Sequence, residues 1–249
     1  MNTLSDKHII KKFRISSKEK VLDIGGSMKQ HEEIKIHTLV DIIHPEEAPY
    51  GSSKLEADNF IRLDITRERL PFKNNEFDFC LCTHTLEDLS QPFLVLDEMS
   101  RVAKRGYIAT PSMGKDMEFS HFDITNWLTG PRRVPGNAHH KWFFTKKKKK
   151  LQIIPKNYPV LYTPKFHIVD WLGENETRYY WEEEIDYMAK NSLNIHELID
   201  EYEGYLQKHK NLIKRGKALL FLDNPYYIYK AILKFMLRRG KGYKHRKLI

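Results

Sequence analysis

The chain predicts an α/β fold: a doubly wound, mostly parallel sheet with strand and helix additions toward its C-terminal end. Three observations predict it. Short apolar runs alternate with polar or helix-like stretches through residue 112, and the tight turns of hairpin proteins are missing there. Asp23, Asp41 and Asp64 fall at or near the ends of three such runs, 18 and 23 residues apart, about one strand–helix unit each. The first run, "VLDI", leads straight into "GGS", a turn that lets backbone approach whatever lies above the strand.

Taken in order, residues 4–19 read as a short helix approaching the first strand, "KVLDI" at 20–24. "GGSMKQHEEI" follows as turn and helix start. "HTLVDII" (37–43) is the second strand, and "HPEEAPYGSSKLEAD" is a loop rich in Pro, Gly and Ser. "FIRLDI" (60–65) is a short third strand, and Phe77 to Thr83 is a strong fourth after a turn at residues 73–75. Phe93, Leu94, Leu96, Met99 and Val102 recur at helical spacing across 91–103, and Lys104–Arg105–Gly106 stops that helix. "GYIATPS" (106–112) is the fifth strand. Beyond it the character changes. Residues 113–140 are loop-like, "KWFFT" and "LQIIP" read as two strands joined by a lysine turn, and "ETRYYWEEEIDYM" crowds aromatics with acids. A helix is expected from Leu193 to about Lys217, and a last one near Pro225 capped by Asp223 or Asn224.

Composition narrows the class. With 249 residues and 41% hydrophobic content the chain can bury a core, which excludes global disorder. The N-terminus lacks the apolar stretch of a signal peptide, and no window approaches the ~20 apolar residues of a spanning helix. Cys80 and Cys82 sit two apart in one strand and point the same way, so they do not pair, and a reduced cytoplasm is the expected location. The net charge is +9, much of it in the run Lys146–Lys150 and the tail after Arg238. Such clusters suit an anionic partner, or are simply a solvated lysine-rich surface.

At the edge where the strands of such a sheet end, ligands bind. An acid after the second strand can accept from both hydroxyls of a ribose, and one after the third can take an adenine amino group. NAD is one candidate, but Gly25-Gly26-Ser27-Met28-Lys29-Gln30 lacks the later glycines of G-x-G-x-x-G. The segments "VLDIGGS", "LVDI", "LDITRERLPFKNNEFDFCLCTHTLEDL" and "PFLVLDEMSRVAKRGYIATPS", spanning residues 20–112, resemble the class I S-adenosylmethionine-dependent methyltransferases, type 11. The resemblance implies a Rossmann-like fold and S-adenosylmethionine as cofactor. Asp23, Gly25, Gly26 and Ser27 would line its methionine end, Asp41 would hold the ribose, and Asp64 with Ile65 would flank the adenine. Thr83 and His84 would border the transferred methyl. The family's usual D-x-G-x-G-x-G keeps Gly25 here, but Ser27 and Lys29 stand at the next two glycine positions. Lys29 would either reach the cofactor carboxylate or obstruct it, and Gly26 would move the flexible point one residue earlier.

Division follows: 1–112 as the cofactor-binding half, 113–192 as an acceptor-side or lid region completing the sheet, and 193–249 as C-terminal helices with a basic tail. His84 suits a general base, or merely closes the pocket. Asp88 either orients an acceptor hydroxyl or caps a turn. His121, Asp123, His139 and His140 lack any metal-ligand spacing, so no metal is expected. "HHKWFF" suits an acceptor-side lid, with Trp142 over the pocket or in the core. The "RYYW" aromatics either stack on a sugar or base or fill the core. Lys230, Lys234 and Arg238 line a helical stripe beside Ile228, Ile232, Phe235 and Met236, suited to an anionic membrane surface or to the protein's own core. The expected acceptor is a small molecule or glycan. No N-P-P-[YF] tetrapeptide, usual in relatives that methylate nucleic acid bases, follows the fourth strand. Two alternatives stand: a nucleic-acid methyltransferase using Lys146–Lys150 and the tail, and a non-catalytic scaffold with an altered glycine loop.

Overall fold

A computed structural model describes residues 4–48, 54–118, 135–166, 168, 170–190 and 194–214. Its first part runs α1 (Asp6–Phe13), β1 (Val21–Ile24), β2 (Thr38–Asp41), β3 (Asn59–Arg62), β4 (Phe79–Thr83), α2 (Phe93–Val102) and β5 (Arg105–Pro111). The second part runs α3 (Met113–Met117), β6 (Trp142–Lys147), β7 (Lys150–Pro155), α4 (Tyr158–Leu161), β8 (Asp170–Trp171), β9 (Glu176–Glu182), β10 (Tyr187–Ala189), α5 (Ile195–Lys208) and β11 (Ile213–Lys214).

The main sheet has the order β3-β2-β1-β4-β5-β9. Its first five strands are mutually parallel, and β9 adds antiparallel to β5. Strand parity divides the core into two faces. Val21, Leu39, Phe79, Leu81, Tyr107 and Ala109 face Ile9 and Phe13 of α1. Leu22, Ile24, Val40, Cys80, Cys82 and Ile108 face Val95, Leu96, Met99 and Val102 of α2, together with Phe144, Leu151 and Ile153 of the hairpin. Each large apolar side chain so buried contributes roughly 1.5–3 kcal/mol. Both cysteines are free and buried on the same face, as their spacing requires.

One expectation fails. Residues 25–34, read as a turn and helix start, form turns and bends, and among the described residues α2 is the only α-helix between successive parallel strands. Ile34 and Ile36 are both buried, an alternation of period 2 that a helix would not satisfy. Asp6 at the start of α1 then fixes the segment, taking the Glu33 N–H at 3.0 Å and pairing with His31 Nδ1 at 2.7 Å. Helix α1 thus covers the face that the missing crossover helix would have covered.

The helix read across 91–103 forms, and the pair Glu98–Arg101 explains its signature. Glu98 is buried and accepts the Leu70 N–H at 2.8 Å. Arg101 binds Glu98 and donates to the carbonyls of Leu70 and Phe72. Glu98 and Arg101 therefore anchor the Leu70-Pro71-Phe72 loop.

The lysine turn also forms: β6 and β7 are an antiparallel hairpin with Lys148 at φ +59°. With β10 they make a second sheet, whose outer face packs Phe143 and Ile154 against Leu198, Tyr202 and Leu206 of α5. Helix α5 ends at Lys208 rather than near 217, because Ile213–Lys214 leave it to pair with Asp170–Trp171. Of "RYYW", Tyr179 and Trp181 fill the core, while Tyr180 stacks on Phe13. Trp142 packs on the core edge and donates to the Leu89 carbonyl. His121, Asp123 and everything after residue 214, including the basic tail and the amphipathic stripe, lie outside the described residues. No described helix is long and apolar enough to cross a membrane.

Candidate active site

The turn after β1 lies at the carboxyl edge of the sheet. Gly25 adopts φ +76°, and a Cβ there would sit 2.3 Å from the Thr85 side chain, so the position admits only glycine. Gly26 has an ordinary φ. Its need is space, since a Cβ would lie 2.0 Å from the Asp23 carboxylate. The flexible point therefore stays at Gly25 rather than shifting to Gly26. Ser27 is buried, its Oγ without a hydrogen-bond partner. Asp23 is buried as well, and its Oδ1 is equally unpartnered. Burial pushes the Asp23 pKa up to about 6; His31 opposes the shift and Asp41 adds to it.

Asp41, at the end of β2, accepts the Ser27 N–H at 3.0 Å and the Ile43 N–H at 3.2 Å, one on each oxygen. A carboxylate offers about four acceptor positions, so each oxygen keeps one for a ligand hydroxyl. Asp64 is more occupied. Its Oδ1 takes both the N–H and the hydroxyl of Thr66, which lowers its pKa, and Oδ2 faces Arg67 at 3.4 Å. Ile65 is buried in the core on the α2 side. The residues expected at the adenine thus serve a local turn and the core, with Asp64 Oδ2 left toward solvent.

A cavity of about 650 Å³ opens beside the glycine turn, lined by Gly25, Met28, Lys29, His31, Thr83 and His84 among others. That size falls within the ~300–1,000 Å³ of small-molecule sites. Lys29 is exposed on its wall. Asp23, Ser27, Asp41 and Asp64 do not line it; Ser27, which Asp41 holds, is followed by Met28 and Lys29 on its wall.

On the other side of the cavity, the loop after β4 builds a buried charge cluster. His84 is held at φ +53° with its N–H on the Ala109 carbonyl. Its Nε2 pairs with Glu176 at 3.0 Å and its Nδ1 with Glu87 at 3.5 Å. Burial works against charge on the imidazole, but the bonds and charges of the two glutamates outweigh it and push the pKa up to about 9. A value near 9 favours the charged imidazolium at neutral pH, which bears against the first of the two roles open to His84, general base, and leaves that of closing the pocket. Glu176 also takes Arg178 Nε at 2.9 Å, and these partners hold its pKa down against burial. Glu87 Oε2 and the Tyr107 hydroxyl lack hydrogen-bond partners. Asp88 turns the other way, toward His139 and His140 at 3.6 and 3.7 Å.

Of the residues expected at the site, the structure brings Gly25, Thr83 and His84 to one cavity. Thr85, Glu87, Glu176 and Arg178 pack around them without having been singled out in the sequence. The opposite charges two apart at the start of "ETRYYWE" were the available signal: in a strand, Glu176 and Arg178 share one face.

A mostly parallel sheet with a glycine turn after its first strand, and unsatisfied polar groups around that turn, defines a Rossmann-like nucleotide-cofactor fold. Residues 26–109 match the family described as "Methyltransferase domain". This segment is a class I S-adenosylmethionine-dependent methyltransferase domain, and S-adenosylmethionine is its cofactor. Solved structures similar to the chain include the YcgJ protein of Bacillus subtilis, at 21% identity and TM-score 0.32, with 42% of this chain and 49% of that one covered. A SAM-dependent methyltransferase from Aquifex aeolicus shares 26% identity at TM-score 0.33, covering 44% and 65%. One from Methanosarcina mazei shares 17% at TM-score 0.33, covering 58% and 74%. The chain thus spans about half to two thirds of the first two. No protein of curated function matches it.

Proposed function

We propose that this protein transfers a methyl group from S-adenosylmethionine to an oxygen, nitrogen or carbon of a small-molecule or glycan acceptor. The acceptor would be held between the loop after β4 and the chain from residue 113 to 190. The observation that carries the reading is the turn at Gly25–Ser27. It combines a left-handed glycine with two buried unpartnered oxygens, Asp23 Oδ1 and Ser27 Oγ. Buried polar atoms without partners are costly, and a bound ammonium or hydroxyl would satisfy them. Asp41 would receive the ribose hydroxyls on its free acceptor positions while it holds Ser27 in place. Asp64 would offer only its outer oxygen to the base.

The cofactor supplies an electrophilic methyl on a sulfonium, so positioning accounts for most of the barrier reduction. The imidazolium of His84, its two N–H groups directed at Glu87 and Glu176, would act on the acceptor as a fixed positive charge rather than remove its proton. Asp88 lies on the acceptor side. The location proposed with this reading is cytoplasmic.

Titration calorimetry of the full chain with S-adenosylmethionine tests the reading. One molecule per chain should bind, with a thermal shift; neither heat nor shift at millimolar cofactor would leave a scaffold with an altered loop. His84→Asn should then lower turnover more than cofactor affinity, and equal losses would put His84 in cofactor binding.

A nucleic-acid acceptor has one supporting observation, the exposed lysines 146–149 at the hairpin tip. It requires RNA or DNA binding that weakens steeply with salt.

A further inference from the structure

We propose that Asp88, His139 and His140 form a binding site for a divalent transition-metal ion of zinc-like preference, on the acceptor side of the cleft. The three side chains each offer a ligand atom, and these atoms all lie within 4.8 Å of one another. Asp88 Oδ1 stands 3.6 Å from His139 Nε2 and 3.7 Å from His140 Nε2. Ligands about 2.0–2.2 Å from a tetrahedral zinc are themselves roughly 3.3–3.6 Å apart. The two Asp–His separations are close to that range, and the two histidines, within 4.8 Å of each other, would close onto the ion by side-chain rotation.

The surroundings are those of a ligand set. Asp88 Oδ1 is buried and has no hydrogen-bond partner. His140 is buried, and its Nδ1 lies 2.9 Å from Asp116 Oδ1. Asp116 is buried too, its other oxygen 3.0 Å from Lys156 Nζ. A carboxylate on one ring nitrogen fixes the tautomer and leaves the lone pair on the other, the usual arrangement behind a metal-bound histidine. That lone pair, on Nε2, faces Asp88, with Asn137 Nδ2 beside it at 3.1 Å. The ion would take the place of the Asn137 contact.

The backbone holds the two halves together. Lys141 N–H donates to the Glu87 carbonyl at 2.7 Å, and its Nζ donates to the carbonyl of Asp88. The side chains of His139 and Asp88 are 67% and 40% exposed, so a fourth coordination position would open to solution, where water or an oxygen-bearing ligand could enter. Two imidazoles with one carboxylate favour zinc and its transition-metal neighbours over magnesium or calcium. Spacing along the chain gave no sign of this, because Asp88 precedes His139 by 51 residues.

The test uses the untagged full chain, stripped with chelator and titrated by calorimetry with zinc chloride and, separately, magnesium chloride. One zinc per chain should bind far more tightly than magnesium. Asp88→Ala and His139→Ala, both solvent-facing and checked for an unchanged melting curve, should each weaken zinc at least 100-fold, whereas His8→Ala should not. Cobalt(II) should give a visible band that disappears in Asp88→Ala. Absence of stoichiometric zinc, affinity unchanged in both variants, or a preference for magnesium overturns the proposal. None of these readouts involves methyl transfer, so failure here would leave the proposed function standing.

Discussion

The glycine turn and the loop after β4 are built on opposite electrostatic plans. At the glycine turn, Asp23 Oδ1 and Ser27 Oγ are buried without partners, and Asp23 is pushed toward neutrality. At the loop after β4, His84 is saturated by Glu87 and Glu176, and its charge is locked in. Among the described residues, the first keeps unpaired acceptors and no charge partner for Asp23 within hydrogen-bond reach. The second also leaves Glu87 Oε2 and the Tyr107 hydroxyl unpartnered, but its central charge is paired on both ring nitrogens. Under the proposed function, the contrast separates a surface that would receive the cofactor from one that would face the acceptor.

The largest test of that contrast is Gly25→Val. A left-handed β-branched residue overlapping Thr85 should cost about 2–5 kcal/mol of stability and abolish cofactor binding. Urea denaturation and calorimetry measure both, and a folded variant with native affinity would remove the turn from the site. Asp41→Ala should come next, weakening S-adenosylmethionine by roughly 1.5–3 kcal/mol for each charge-assisted bond lost. Unchanged affinity in a folded variant would end the ribose assignment.

The charge cluster should appear as a pH slope. His84 is raised from its ordinary value of 6.5 to about 9, so its contribution to stability is complete below pH 6.5 and disappears as pH rises through 9. Melting temperature should therefore fall across that interval by the equivalent of roughly 1–3 kcal/mol, and His84→Asn should flatten the fall. An equal slope in the variant would refute the pairing. The smallest effect belongs to Asp23. A raised carboxyl pKa means that stability is lost as pH climbs from about 4 through about 6. Asp23→Asn should escape that loss and raise the melting temperature of cofactor-free protein at pH 7 by about 2–4 °C per kcal/mol, while weakening cofactor binding. A variant that melts lower at pH 7 would mean that the buried charge is satisfied.

Much of this architecture is legible in the order of the residues. Asp41 could be placed because a strand, an acid and a following loop are local features. The hairpin around Lys148 and the stop of α2 at Val102 were legible for the same reason. The helix expected after Gly26 is not there, because burial of Ile34 and Ile36 and the hold of Asp6 on His31 and Glu33 override a local polar pattern. Asp64 reads as a ligand because it ends an apolar run; what the sequence does not show is that Thr66, two residues on, takes its Oδ1.

The sequence by itself determined the run of parallel strands, the glycine turn and the acid that braces it, since each follows from residues a few positions apart. Only the tertiary structure decided that β9 enters antiparallel and brings Glu176 to His84, 92 residues away. It likewise decided that Asp88 meets His139 and His140. Periodicity reports which face of an element is buried, whereas the charge state of a side chain depends on what strand register places beside it.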